Sequence, residues 1–413
     1  MTSTEFRDGT EAAALAGAAR ARAASAPRPH EILDNARVLV PLLRERIAET
    51  EALRRLPEST VSEAAEAGIF SLLLPRSLGG AGGGAADFVE LVRTLAHGHL
   101  SAAWTIAFLV EHNWMLARYP AEVQQEVFGN GGYAMMSGVI HPPGNAVPVN
   151  GGYSLTGHWG YATGIMHAAW VQVFATVEGR EDTVLCLLPR NEVEVRDTWH
   201  MSGMGGTGSN HVKVDGLFVP GHRVLDIELW SARKNPGSAL HPEAIYSYAL
   251  RDILGFLYPS MAVGAAETML AEYRARLERR RAPFSSAVTA DTAMGQVRYA
   301  RSAAALRAAQ ATLEQALAET IKANEDSAEE LPSETRASLK LSMLSVLRLA
   351  WESIEIGLRG SGTSIFAADS PTQHFVRDME LLLSHQTIDE DAMYAMAGQI
   401  LLGRATSTSN AVI

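Results

Sequence analysis

The stretch GMGGTGSNHVKVDGLFVP, residues 203–220, admits two incompatible readings. Gly203, Gly205 and Gly208 match G-x-G-x-x-G, which in a dinucleotide-binding fold leaves a strand and opens a helix. The residues after Gly208 read as strand instead. Val212 and Val214 alternate with polar residues at period two, and Gly216 and Pro220 punctuate the run. A Rossmann site is thereby excluded. A glycine-rich β-loop that offers backbone N–H groups to a ligand is still open.

Outward from this stretch the same periodicity holds. WVQVFATV (170–177), DTVLCLLP (182–189) and VEVRDTW (193–199) alternate or run apolar between turn residues, which predicts an antiparallel β-barrel or sandwich over residues 131–228. On the N-terminal side, residues 30–130 carry apolar residues at three- and four-residue spacing, as in EILDNARVLVPLLRERIAETEALRRL (31–56), and predict a helical domain. On the C-terminal side, residues 229–413 hold several helical runs of more than about 20 residues joined by short loops, which predicts a four-helix bundle. The fold class is α+β, in the order helices, β domain, helical bundle. Ala-rich helix faces with few charges point to packing on more than one side, and so to an oligomer.

Composition limits the partners. Hydrophobic residues make up 47%, charged residues 20%, and the formal net charge is −11. That balance speaks against nucleic acid and anionic membrane as partners, and the sequence shows no long Lys/Arg block. No apolar stretch is read as reaching the roughly 20 residues that span a bilayer. Residues 1–29 mix Arg, Ala and Ser in the manner of a transit peptide, but Glu5, Asp8 and Glu11 and the lack of an apolar core favour a flexible tail. The single cysteine, Cys186, reads as buried and inert, and the expected location is the cytoplasm.

Histidines carry the chemistry. His97 and His99 form H-x-H and His112 comes soon after, but no further ligand stands at metal spacing, so no metal is expected. Trp104, Phe108, His112 and Trp114 fall in one helical region. That pattern describes an aromatic-walled pocket with one group titrating near neutrality, or equally an ordinary packed core. Near the C-terminus, LLLSHQTIDED (381–391) places His385 just before Thr387 and Glu390, a capping-box pair that predicts a helix starting at Thr387.

The ordered set of strings LPRSLGGAGG (74–83), GHWGYATG (157–164), MGGTGSNHVKVDGLFVP (204–220) and RRRAPF (279–284) resembles the acyl-CoA dehydrogenase fold. Its dehydrogenases place a glutamate base late in the chain, where this sequence has His385 in SHQT. A histidine there, with VEHNWMLA (110–117), resembles the flavin-dependent monooxygenase branch, including the oxygenase component of p-hydroxyphenylacetate 3-hydroxylase. The resemblance implies reduced FAD or FMN from a separate NAD(P)H-dependent reductase, O2 as co-substrate, a C4a-hydroperoxyflavin, an aromatic substrate (phenolic, polycyclic or indole), and a homotetramer. It implies that Thr163 bonds flavin N5 with Tyr161 beside the ring, and that Ser137 lies near flavin or substrate. Thr207 and Ser209 would contact the ribityl or phosphate region, and Arg281 and Phe284 the phosphates across a subunit boundary. His385 would sit against the ring with its pKa lowered by the adjoining helix N-terminus. His112 would act on the substrate side, with Trp104, Phe108 and Trp114 as walls and Arg251 in the pocket. The alternatives are N-oxygenation of an amino sugar, an acyl-CoA dehydrogenase with a displaced base, and a scaffold without flavin.

Overall fold

The computed structural model describes residues 27–129, 131–180, 183–281, 286–367 and 370–404, so most of the expected tail lies outside the described residues. The N-terminal part comprises α1 (Pro29–Glu45), α2 (Ile47–Leu53), α3 (Glu58–Glu66), α4 (Ala85–Ala96), α5 (Leu100–Leu116) and α6 (Ala121–Phe128). Helix α1 begins with Pro29 in its first turn and Glu31 folded back onto the Arg28 N–H at 2.8 Å. Helix α5 is buried at every residue except Phe108. A helix enclosed in this way must satisfy its polar side chains internally. Asn113 does so, donating to the carbonyls of Phe70 and Leu109 and accepting from the Ala134 N–H at 2.8 Å.

Among the described residues the middle part holds seven strands: β1 (Met136–Val149), β2 (Gly152–Ala162), β3 (Trp170–Val177), β4 (Thr183–Pro189), β5 (Glu194–Arg196), β6 (Asn210–Pro220) and β7 (Val224–Asp226). They form one sheet in the order β5-β6-β2-β1-β3-β4-β7. The expectation of an antiparallel domain needs one correction. β1 and β3 run parallel, with Met136 opposite Trp170 and Ala146 opposite Val177. The cause is connectivity: β2 turns back beside β1, and the chain then crosses to the other side of β1 before forming β3. Strands β3 and β4 read as continuous apolar runs because both faces are covered. Phe174, Leu185 and Leu187 join the core shared with the helices. Val173, Ala175, Val184, Cys186 and Leu188 join the β domain's own core. Burial there pushes the Cys186 thiol up to about 12.

The C-terminal part contains α7 (Ile227–Ser231), α8 (Leu250–Ile253), α9 (Leu257–Arg279), α10 (Ala293–Asp326), α11 (Ser333–Ser361), α12 (Pro371–Leu383) and α13 (Glu390–Leu401). Helices α9, α10 and α11 pack on one another, α12 lies against α9, and α13 against α11. Gly264 lets α9 approach α4, because a Cβ there would stand 2.4 Å from the Arg93 carbonyl oxygen. The stretch Leu250–Arg279 is long and apolar enough to cross a bilayer, contrary to the sequence expectation, but 83% of its apolar window is buried inside the protein. Its apolarity is that of a central core helix. The last helix also starts later than the capping-box reading places it. Asp389, not Thr387, is the N-cap, accepting from the Ala392 N–H at 2.8 Å.

Candidate active site

A cavity of about 410 Å³ opens where α5, the ends of β2 and β6, α9, α11 and the link between α12 and α13 meet. Trp104, Phe108, Glu111 and Met115 all line it, spaced four, three and four residues apart along one face of α5. Trp104 stacks on Phe108 with ring centroids 4.8 Å apart.

His112 lines the same space from the side of α5 next to β1. Its Nδ1 lies 2.6 Å from the Met136 carbonyl oxygen, an acceptor, so Nδ1 carries the proton and Nε2 keeps a free lone pair. Burial pulls its pKa down to about 4. The side chain therefore stays neutral at physiological pH, with an unprotonated nitrogen facing Gly138. A Cβ at Gly138 would lie 3.2 Å from that Nε2, so glycine keeps the ring accessible.

Opposite stands a chain of hydroxyls. The register of β2 against β6, Ala162 opposite Asn210, brings Thr163 beside Ser209, with their oxygens 2.9 Å apart. Ser209 lies 2.7 Å from Thr207, and Trp104 Nε1 donates to Thr163 at 3.2 Å. All three hydroxyls are buried and line the cavity. The glycine-rich loop that carries two of them is pinned to α12. Buried Asp378 accepts the Met204 N–H and the Ser101 hydroxyl, and a Cβ at Gly203 would lie 2.1 Å from the Arg377 carbonyl oxygen. Gly208 takes φ +57°. The glycines thus serve close packing and a left-handed turn between strands.

His385 lines the far wall, with its ring 5.4 Å from those of Trp104 and Tyr258. Its Nδ1 faces the Thr387 hydroxyl at 2.8 Å and accepts the Thr387 N–H at 3.3 Å, capping the single 3-10 turn Gln386–Ile388. The Thr387 hydroxyl in turn donates to Tyr258. The His385 pKa falls to about 4 through burial. This corrects the expected cause, because α13 begins five residues later and its N-terminus is not adjacent.

Tyr161 lines the cavity edge in a left-handed conformation, φ +70°, against Trp199 and His211. Arg251 lines it as well, 2.8 Å from Glu330, with a buried Nε that has no hydrogen-bond partner. Two assignments need correction. Trp114 points away from the cavity and donates to the Ile245 carbonyl at 3.1 Å. Ser137 lies beneath the wall, where it donates to the Thr163 carbonyl at 2.8 Å, so it supports Thr163 rather than facing a ligand. Arg281 is exposed, bonded to the Ser286 carbonyl and outside the lining of its own chain's cavity, and the role expected for it lies across a subunit boundary. Phe284 lies outside the described residues. The three early histidines do not converge: His97 pairs with Glu267 at 2.6 Å, and His99 faces Asp378 at 3.7 Å. Sequence reading missed Glu111, Tyr258, Phe174, Trp199, Trp230 and Lys340, all of which line the cavity.

The donor set fits a flavin. A planar ring system needs apolar faces and hydrogen-bonding groups along its edge. The cavity offers Trp104 and several aliphatic side chains for the faces, and the Thr163–Ser209–Thr207 hydroxyls for the edge. Known proteins point the same way. Residues 30–130 match the acyl-CoA dehydrogenase N-terminal domain and residues 257–390 match the acyl-CoA dehydrogenase C-terminal domain. The oxygenase subunit HsaA of a flavin-dependent monooxygenase from Rhodococcus jostii is 32% identical over 87% of this chain and 95% of its own. The oxygenase component of the FADH2-dependent resorcinol hydroxylase from a Rhizobium species is 29% identical over 92% of this chain and 97% of its own. The crystal structure of 3-HSA hydroxylase from Rhodococcus sp. RHA1 superimposes with a TM-score of 0.85 at 31% identity, covering 92% of this chain and 98% of that one. The chain therefore belongs to the flavin-dependent monooxygenases built on the acyl-CoA dehydrogenase fold, as an oxygenase component.

Proposed function

We propose that this oxygenase component hydroxylates an aromatic substrate, using reduced FAD or FMN delivered by a separate NAD(P)H-dependent reductase. The carrying observation is the cavity's lining. Among the described residues, seven aromatic side chains (Trp104, Phe108, Tyr161, Phe174, Trp199, Trp230 and Tyr258) line it with two neutral histidines and one carboxyl group, Glu111. An amino-sugar site would want more acids. A dehydrogenase would want an ionised carboxylate as base, whereas burial raises the Glu111 carboxyl well above the usual carboxylate range and so disfavours its ionised form. The resorcinol hydroxylase name points to a phenolic ring, which suits the same lining.

Reduced flavin, when bound, supplies the electrons that make O2 an oxygen donor. The chain's own residues do the rest. Thr163, with Ser209 and Thr207 behind it, would hold the flavin edge, and Tyr161 would flank the ring. The free Nε2 of His112 would take the proton of a phenolic hydroxyl, which makes the ring carbons more nucleophilic. His385, neutral and fixed by Thr387 and Tyr258, would hold or deliver a proton on the flavin side. The apolar walls exclude water from the reacting atoms.

The test supplies a phenolic probe, O2, an unrelated flavin reductase with NADH, and this chain. Hydroxylated product should require all four. Equal product formation in the absence of this chain would sink the reading.

A further inference from the structure

Among the described cavity-lining side chains, Glu111 and Arg251 have buried polar atoms without a hydrogen-bond partner. Arg251 has an ion-pair partner in Glu330. Glu111 has none: it is 3% exposed, its Oε2 is orphaned, and no cation is paired with it. It shares the cavity-facing stripe of α5 with Trp104, Phe108 and Met115. Tyr258 lines the same cavity, yet its hydroxyl is already bonded within the Thr387–His385 group. Asn113, two residues on in the same buried helix, has every polar atom satisfied. A buried carboxyl left bare inside an aromatic cavity destabilises the chain unless a ligand completes it.

We propose that Glu111 is the specificity-determining residue of this site, its carboxyl group hydrogen-bonding a neutral hydroxyl or carbonyl oxygen of the aromatic substrate. This rests on the reading of the cavity as an aromatic-substrate chamber. In the protonated form that burial favours, the carboxyl offers an O–H donor as well as acceptor oxygens, which matches a hydroxyl, whereas an anionic substituent finds no cation paired with Glu111. Glu111 and His112 are adjacent on α5, so the preferred substrate carries two polar oxygens, one for each. A ring with a single hydroxyl leaves Glu111 bare, and a site built for a hydrogen bond discriminates against the analogue that lacks it.

The probes are 2,7-dihydroxynaphthalene and 2-naphthol, which differ by one hydroxyl. Their dissociation constants would be measured by equilibrium dialysis against the full chain loaded anaerobically with reduced FAD, for wild type, Glu111→Gln and Glu111→Leu. Wild type should bind the diol at least roughly tenfold more tightly. Glu111→Gln should keep part of that preference, and Glu111→Leu should lose it while raising the melting temperature of the ligand-free chain. A purely structural glutamate would instead lower the melting temperature on replacement. Binding of both probes with the preference intact in Glu111→Leu overturns the Glu111 assignment alone. If neither probe binds wild type, the aromatic chamber and the assignment fall together.

Discussion

His385 shows how one residue can serve both architecture and chemistry. Its Nδ1 caps the turn Gln386–Ile388, and that bond fixes the ring against Trp104 and Tyr258 in the cavity wall. His112, whose Nδ1 donates to Met136, presents its unprotonated Nε2 to the same cavity. His385→Ala is expected to lower the hydroxylation rate by about a hundredfold or more, in line with the loss of a positioned proton-transfer group. Reduced-flavin binding by equilibrium dialysis should change far less. Turnover equal to wild type would remove His385 from the chemistry. The identity of these residues was legible in sequence, but their facing was only partly so. On an α-helix each residue turns about 100°, so residue 111 lies about 20° from the face of Trp104, while residues 112 and 114 lie about 80° away on either side. Helical spacing alone could therefore have picked out Glu111. It could not tell which flank opens on the cavity, and Trp114 was misplaced for that reason.

Among the elements, the change from helical to two-residue periodicity and back marks the helix–sheet–helix order, because covered faces dictate where apolar residues fall. Strand direction leaves no such trace. The parallel pair β1–β3 depends on where the chain crosses, which alternation cannot encode. The glycine-rich loop is similar: its glycines were legible as glycines, but their reasons lie in α12 and in the turn at Gly208, distant partners that no local pattern reveals. The start of α13 was misread because Thr387-x-x-Glu390 and the acidic residue at 389 both satisfy cap rules. Tertiary structure decides between them, giving the Thr387 hydroxyl to Tyr258 and His385. Asp389→Ala is accordingly expected to cost about 1 kcal/mol of stability, read from urea denaturation. The same experiment on Thr387→Ala should show its main effect on turnover rather than on the helix. A Thr387→Ala loss confined to stability would restore the capping-box reading.

At the scale of the whole molecule, helices from both ends of the sequence enclose one face of the sheet, and the cavity sits where they meet it. The same burial that shapes the cavity makes the chain acid-sensitive. His99, His112 and His385 are held neutral, with pKa values lowered from 6.5 to about 3, 4 and 4. Because the folded values are lowered, the unfolded chain binds protons first as pH falls. The stability these histidines contribute should therefore be full above about pH 6.5 and decline between there and about pH 4, partly offset by Asp378, whose carboxyl is raised to about 6 and so takes up its proton first in the folded chain. In melting temperatures measured across that range, His385→Gln should show a shallower loss than wild type. Equal slopes for the two would contradict the neutral assignment of His385. Reaction class is also a property of the whole cavity, since it depends on which ionised groups the fold excludes. The most direct measurement supplies reduced flavin to the chain under heavy-isotope dioxygen, with a phenolic probe, and analyses the product by mass spectrometry. One labelled oxygen atom is expected in the hydroxylated ring, and none when the flavin is oxidised. Unlabelled probe, together with anaerobic bleaching of bound oxidised flavin by an acyl-CoA, would contradict it and assign the chain to dehydrogenation.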